Sequence, residues 1–132
     1  MPLESGDYFI LAAHTPGHIY PVARMNDAYP QPVLKYNKAV RPEIATWEVK
    51  SLSDTNTYYL YNGGKPAACM NNFVWLNETQ QVWRIEPASD EGKFIILSED
   101  RKFGWVAPDG EDAIECRDNV EPSLFEIYAA DT

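Results

Sequence analysis

The sequence is short of positive charge: 11 Lys and Arg stand against 20 Asp and Glu, a net charge of −9. A chain this acidic is repelled by a phosphate backbone, and no basic stripe overrides that. No nucleic acid and no anionic membrane surface is therefore expected as a partner. Long apolar runs are missing too, and nothing approaches the ~18 consecutive apolar residues of a membrane-spanning helix. The opening Met1-Pro2-Leu3-Glu4-Ser5-Gly6-Asp7 has neither a basic nor an apolar leader region. The expectation is a cytoplasmic protein, or one that is unconventionally secreted. Cysteine is scarce: Cys69 and Cys116 form no CxxC pair, and two reduced, largely buried thiols are expected.

Catalytic signatures are also lacking. There is no Gly-rich phosphate loop, no GxSxG elbow and no HExxH. His14 and His18 are four apart, but Thr15-Pro16-Gly17 separates them as a hairpin turn, so they read as turn histidines and not as metal ligands. Glu99-Asp100 and Asp109-Gly110-Glu111-Asp112 also fall in expected turns. Solvated hairpin tips explain them better than a glycosidase carboxylate pair, and their spacing matches no EF-hand loop. The expectation is a protein that is not an enzyme, with no catalytic residues, no cofactor and no metal.

What the chain does have is β structure in a repeat. With 132 residues, 45% hydrophobic and 13% aromatic, it has room for one well-filled core. Three segments open alike: Gly6 to Leu11, Asn56 to Tyr61, and Gly92 to Leu97. Three close alike, on Trp47-Glu48-Val49, Trp83-Arg84-Ile85 and Phe125-Glu126-Ile127. Between these ends fit second strands at His18 to Val22, Ala67 to Met70 and Phe103 to Val106. Third strands fit at Val33 to Tyr36, Phe73 to Leu76 and Ala113 to Cys116. Gly63-Gly64, Asn71-Asn72 and Pro108-Asp109-Gly110 supply the turns. The expected fold is all-β: one β-trefoil domain of twelve strands in three units, about 1–51, 52–87 and 88–132. Trp47, Trp83 and Phe125 are expected to share a layer of its core. No long amphipathic helix is expected, and Leu76 to Ile85 reads as loop then strand. The first unit is the longest, and its surplus falls in Arg24 to Pro32 and Asn37 to Thr46, where insertions map to loops.

The same residues carry a family likeness. Ser5 to Ile10, Trp47-Glu48-Val49, Tyr58 to Asn62, Trp83 to Pro87, Gly104-Trp105-Val106 and Phe125-Glu126-Ile127 resemble, in order, the fungal β-trefoil serine protease inhibitors of the cospin type. More distant relatives are the mycocypins and the ricin-B trefoils. The resemblance implies a reversible, substrate-like inhibitor: a loop enters the protease cleft extended and pairs with it as an added strand. It implies a trypsin-like serine protease as partner, met by a monomer. It places the reactive loop between the second and third strands. The protease-binding residues there would be Arg24, Met25, Asn26, Asp27, Ala28 and Tyr29, with Asn26 matching the family's primary site and Arg24 the chemically obvious trypsin anchor. Alternative reactive loops carry Arg117 and Asn119, or Asn62 and Lys65, although Asn62-Gly63-Gly64 reads more simply as a tight turn. A mycocypin-like inhibitor of cysteine proteases or legumain is one alternative function. A carbohydrate-binding lectin is another, resting on the single Gln81-Val82-Trp83, since Trp47 and Phe125 lack the preceding Gln.

Overall fold

Alternation of apolar and polar residues makes strands wherever turn formers allow, and the computed structural model has twelve of them. It describes residues 3–13, 17–21, 31–36, 42–52, 56–89, 92–118 and 120–130. The strands are β1 (Gly6–Ala12), β2 (Gly17–Pro21), β3 (Gln31–Tyr36), β4 (Thr46–Ser51), β5 (Thr57–Asn62) and β6 (Lys65–Met70). They continue with β7 (Phe73–Leu76), β8 (Trp83–Pro87), β9 (Phe94–Ser98), β10 (Phe103–Val106), β11 (Glu115–Asp118) and β12 (Phe125–Ala129). The all-β expectation holds. One helical turn, α1 (Pro42–Ala45), lies in the stretch read as an inserted loop, and 77–82 is irregular before β8, as expected.

Six strands close on themselves through antiparallel pairs: β1 with β4, β4 with β5, β5 with β8, β8 with β9, β9 with β12, and β12 back to β1. The other six form three hairpins, β2–β3, β6–β7 and β10–β11. These hairpins join one another through β3–β7, β7–β11 and the bridge Leu34↔Ala113. Tight turns form where the sequence allows positive φ. Gly63 and Gly64 (φ 62° and 83°) and Asn71 and Asn72 (φ 53° and 67°) make two-residue connections whose twist matches the flanking strands.

These pairings sort the strands into three sets, β1–β4, β5–β8 and β9–β12, termed units, and the register aligns their residues. The first strand of each unit meets its second at Leu11↔His18, Tyr61↔Pro66 and Leu97↔Gly104. One residue on, Ile19, Ala67 and Trp105 therefore occupy matching positions. In the first two units the closing tryptophan donates its indole N–H to that residue's carbonyl, Trp47 to Ile19 at 2.7 Å and Trp83 to Ala67 at 2.8 Å. The third unit closes on Phe125, and its large aromatic sits instead at Trp105. That ring lies between the other three, with centroids 6.1 Å from Trp47, 5.5 Å from Trp83 and 6.0 Å from Phe125. The expected aromatic layer thus has a fourth member at its centre. The buried Trp105 Nε1 has no hydrogen-bond partner.

Four expectations need correction. Cys69 and Cys116 form a disulfide across a Cα–Cα distance of 5.9 Å. Both β6 and β11 pair with β7, which brings them together although 47 residues separate the cysteines in sequence. Strand β11 is displaced from Ala113–Cys116 to Glu115–Asp118, because the backbone around Ala113 and Ile114 pairs with β3 and β7 and not with β10. Pro32, placed in the loop, belongs to β3 opposite Trp75. His18, also read as a turn histidine, lies on β2 as the second-strand reading had it, against the edge of Phe9; burial holds its imidazole below the usual histidine range.

Candidate functional site

Two connections are nine residues long, 22–30 between β2 and β3 and 37–45 between β3 and β4, and the first is the expected reactive loop. Arg24, Met25, Asn26, Asp27, Ala28 and Tyr29 lie outside the described residues, as does Asn119; the root of the connection is described in detail. Four register pairs join its strands: His18↔Tyr36, Ile19↔Lys35, Tyr20↔Leu34 and Pro21↔Val33. On one face of the hairpin the rings of Tyr20 and Tyr36 stack at 4.1 Å with 19° between their planes. On the other, Lys35 is fully buried, and its Nζ donates to the carbonyls of Pro108 (2.6 Å) and Asp109 (3.0 Å). Burial pulls the Lys35 ammonium below the usual lysine range, and the Asp109 carboxylate partly offsets that. At the start of β3, Gln31 is 93% buried with an unpartnered Oε1.

The alternative positions fare differently. Asn62 is wholly buried, and its Nδ2 donates to the Ile44 carbonyl at 3.1 Å. It could enter a protease cleft only by abandoning that site. Lys65 is the half-buried partner of Asn62 across the two-glycine turn. Arg117 is exposed on β11, and Nη1 meets Glu115 Oε1 at 3.2 Å. An exposed pair of this kind stabilises by at most about 1 kcal/mol, so Arg117 is readily released to a partner. The chain after it is docked on β10: Ser123 N donates to the Trp105 carbonyl (3.0 Å), and Ser123 Oγ accepts from Ala107 N (2.8 Å). Pro122 lies so close to Gly104 that an added Cβ would meet it at 3.0 Å.

Residues weighed for other chemistry have structural work. Gln81, the basis of the lectin reading, accepts the Cys69 backbone N–H at 2.8 Å. Asp100 accepts from Lys102 N (3.0 Å) and Ser98 Oγ (2.7 Å); the backbone donor first, then the hydroxyl, hold its carboxyl below the usual range. Among the described residues no group of three His, Cys, Asp or Glu is placed to hold a metal. The sequence reading missed Lys35. Its signal was positional, since Val33 and Lys35 are two apart on one strand and share a face.

Residues 1–125 match the family model described as peptidase inhibitor I66. No curated protein matches the chain. Among solved structures it is similar to a proteinase inhibitor from Coprinopsis cinerea, at 18% identity over 97% of this chain and 99% of that one, with a TM-score of 0.74. It is also similar to the Rhizoctonia solani agglutinin, at 20% identity over 98% of each chain, with a TM-score of 0.79. A third is the Macrolepiota procera ricin B-like lectin solved with lactose, at 10% identity over 98% and 99%, with a TM-score of 0.78. At these identities the likeness shows a shared fold and nothing finer.

Proposed function

The chain belongs to the peptidase inhibitor I66 family, and from that premise we propose that it is a reversible, substrate-like inhibitor of trypsin-like serine proteases. In this reading residues 1–132 form a single β-trefoil domain of three units, about 1–51, 52–87 and 88–132, which acts as a monomer through the β2–β3 loop. The loop enters the protease cleft extended and pairs with it by main-chain hydrogen bonds. Arg24 or Asn26 fills the primary pocket; an Arg there pairs its guanidinium with the carboxylate at the pocket floor. A contact of roughly 1,600 Å² binds tightly when the loop is already ordered, because little freedom is lost on docking. No catalytic group is required of the inhibitor.

The observation that carries this reading is the root of the loop. The loop spans nine residues (22–30), a length matched by 37–45 before β4, and the two strands that bear it are paired residue by residue and stacked through Tyr20 and Tyr36. Neither rival gains comparable support. Asn62 is buried, and Gln81 is occupied by the backbone of β6. The Cys69–Cys116 disulfide suits an oxidising setting, which favours action after export over action in the cytoplasm.

Titration against trypsin, chymotrypsin, papain and legumain tests the proposal. Stoichiometric, reversible inhibition of trypsin is expected, weakened by Arg24→Ala or Asn26→Ala and unchanged by Arg117→Ala. Full inhibition by both of the first two variants would sink the loop assignment. Inhibition of none of the four enzymes, with retention on a lactose column, would replace the inhibitor with a lectin.

A further inference from the structure

The register places Lys35 in a revealing comparison. Its partner on β2 is Ile19; the matching pairs are Ala67↔Leu76 and Trp105↔Cys116. Lys35, Leu76 and Cys116 therefore hold one position in three units, and all three are 0% exposed. Two units fill it with an uncharged side chain. The first fills it with a lysine, although an ammonium withdrawn from water is costly unless fully paired. A leucine would pack there without that cost, as Leu76 does.

What the lysine adds is a tether. Beyond it, the chain before β11 is zipped onto β3 by backbone bonds: Lys35 N to the Asp112 carbonyl (2.9 Å), Ile114 N to the Val33 carbonyl (2.8 Å), and the Leu34↔Ala113 bridge. Those bonds stop at Asp112, and Lys35 Nζ extends the hold to Pro108 and Asp109. On the opposite face, the Tyr20–Tyr36 stack is likewise confined to the first unit. The corresponding residues are Ala68 and Asn77 in the second and Val106 and Arg117 in the third. Both departures sit in the β2–β3 hairpin, whose connection of nine residues (22–30) compares with two in β6–β7 and eight (107–114) in β10–β11.

We propose that Lys35 and the Tyr20–Tyr36 stack are positioning residues for the inhibitory loop, clamping its root from the inner and outer faces of the hairpin so that the loop meets a protease in one conformation. The proposal rests on the reading that the β2–β3 loop is the reactive one. A clamped loop loses little freedom on binding, and if cut it keeps its new ends together. A loosened loop binds more weakly and is consumed as a substrate.

The test uses the full chain against trypsin, with the inhibition constant, the rate of loop cleavage and Tm measured together. Lys35→Met and Tyr36→Ala are expected to weaken inhibition by about tenfold or more and to turn the protein into a slowly hydrolysed, temporary inhibitor. Tyr36→Phe, which keeps the stack and removes only the hydroxyl, should inhibit far more nearly as the parent does than Tyr36→Ala. Ile96→Ala, in the barrel strand β9, supplies a variant of lowered Tm whose loop root is intact, and its inhibition constant should not move. Should Lys35→Met fail to fold, the Tyr36 pair still decides. If Arg24→Ala and Asn26→Ala abolish inhibition while Lys35→Met and Tyr36→Ala inhibit like the parent, or weaken only as Ile96→Ala does, the clamp is overturned and the loop reading stands. If Arg24→Ala and Asn26→Ala change nothing, both fall.

Discussion

Replacing Trp105 with Phe should cost the fold far less than the same change at Trp47 or Trp83. All three indoles are fully buried. Shrinking any of them to a phenyl ring loses transfer free energy and leaves a partial void, together about 1–2 kcal/mol. The hydrogen-bond terms then differ in sign. Trp47 and Trp83 each donate to a buried backbone carbonyl, and removing the donor adds the penalty of an unmet acceptor, about 1–3 kcal/mol. Trp105 Nε1 has no partner, so its removal relieves a desolvation cost of that same size. The expected losses are about 2–5 kcal/mol for Trp47→Phe and Trp83→Phe, whereas Trp105→Phe should fall between a gain of about 2 and a loss of about 1 kcal/mol. Urea unfolding followed by far-UV circular dichroism measures all three without relying on the altered fluorophores. A Trp105→Phe loss equal to that of Trp83→Phe would show that Nε1 is satisfied, for example by a buried water, and would refute the account of the central ring.

Two further outcomes follow from named groups. The Cys69–Cys116 bond closes a loop of 47 residues, so reduction should remove about 4 kcal/mol of stability, while a Cys69→Ser/Cys116→Ser double variant should be indifferent to reductant; equal midpoints with and without reductant in the parent would contradict the bond's role. Lys35 has a folded-state pKa below its ordinary 10.5, so its charge costs stability at every pH below that folded value, and the cost fades as pH rises through it towards 10.5. The parent should therefore gain stability relative to Lys35→Met as pH rises towards 10.5. The comparison cancels Tyr36 and Tyr58, whose raised values oppose stability only above about pH 10; a difference in urea midpoint that does not change with pH would refute it.

The strands were legible because each is a local pattern closed by a local signal. Phe73–Leu76 and Phe103–Val106 fall where alternation and turn residues put them. Errors arose where tertiary pairing competes with local pattern. Ala113 and Ile114 look like the head of a strand in the third hairpin, but their backbone is claimed by β3 and β7. The disulfide was invisible for the same reason, since only their shared pairing with β7 brings β6 and β11 together. Lys35 was hidden by its chemistry. A lysine flanked by Leu34 and Tyr36 reads by its charge as facing solvent, and its spacing of two from Val33 was the one local sign that it faces inward. The loop itself was legible as an insertion, because length and proline content mark one, but its primary-site residue is a matter of alignment within residues that have no periodicity to anchor them.

The two departures from threefold likeness are physically unlike, and the contrast separates scaffold from site. In the third unit, the loss of a tryptophan at Phe125 is matched by the gain of one at Trp105, so the aromatic layer stays filled and only one donor is orphaned. Packing alone accounts for that exchange: ring volume is moved within the core and nothing at the surface changes. In the first unit, Lys35 stands where Leu76 and Cys116 serve the other two, and packing cannot account for it, because the uncharged choice is cheaper and already in use. A repeat fold provides its own controls in this way. Where one unit departs and the core compensates, the change belongs to the scaffold. Where a buried ammonium stands in place of a leucine and donates to the backbone of the neighbouring connection at Pro108 and Asp109, the reason is to be sought in what that hold positions, which Lys35→Met tests.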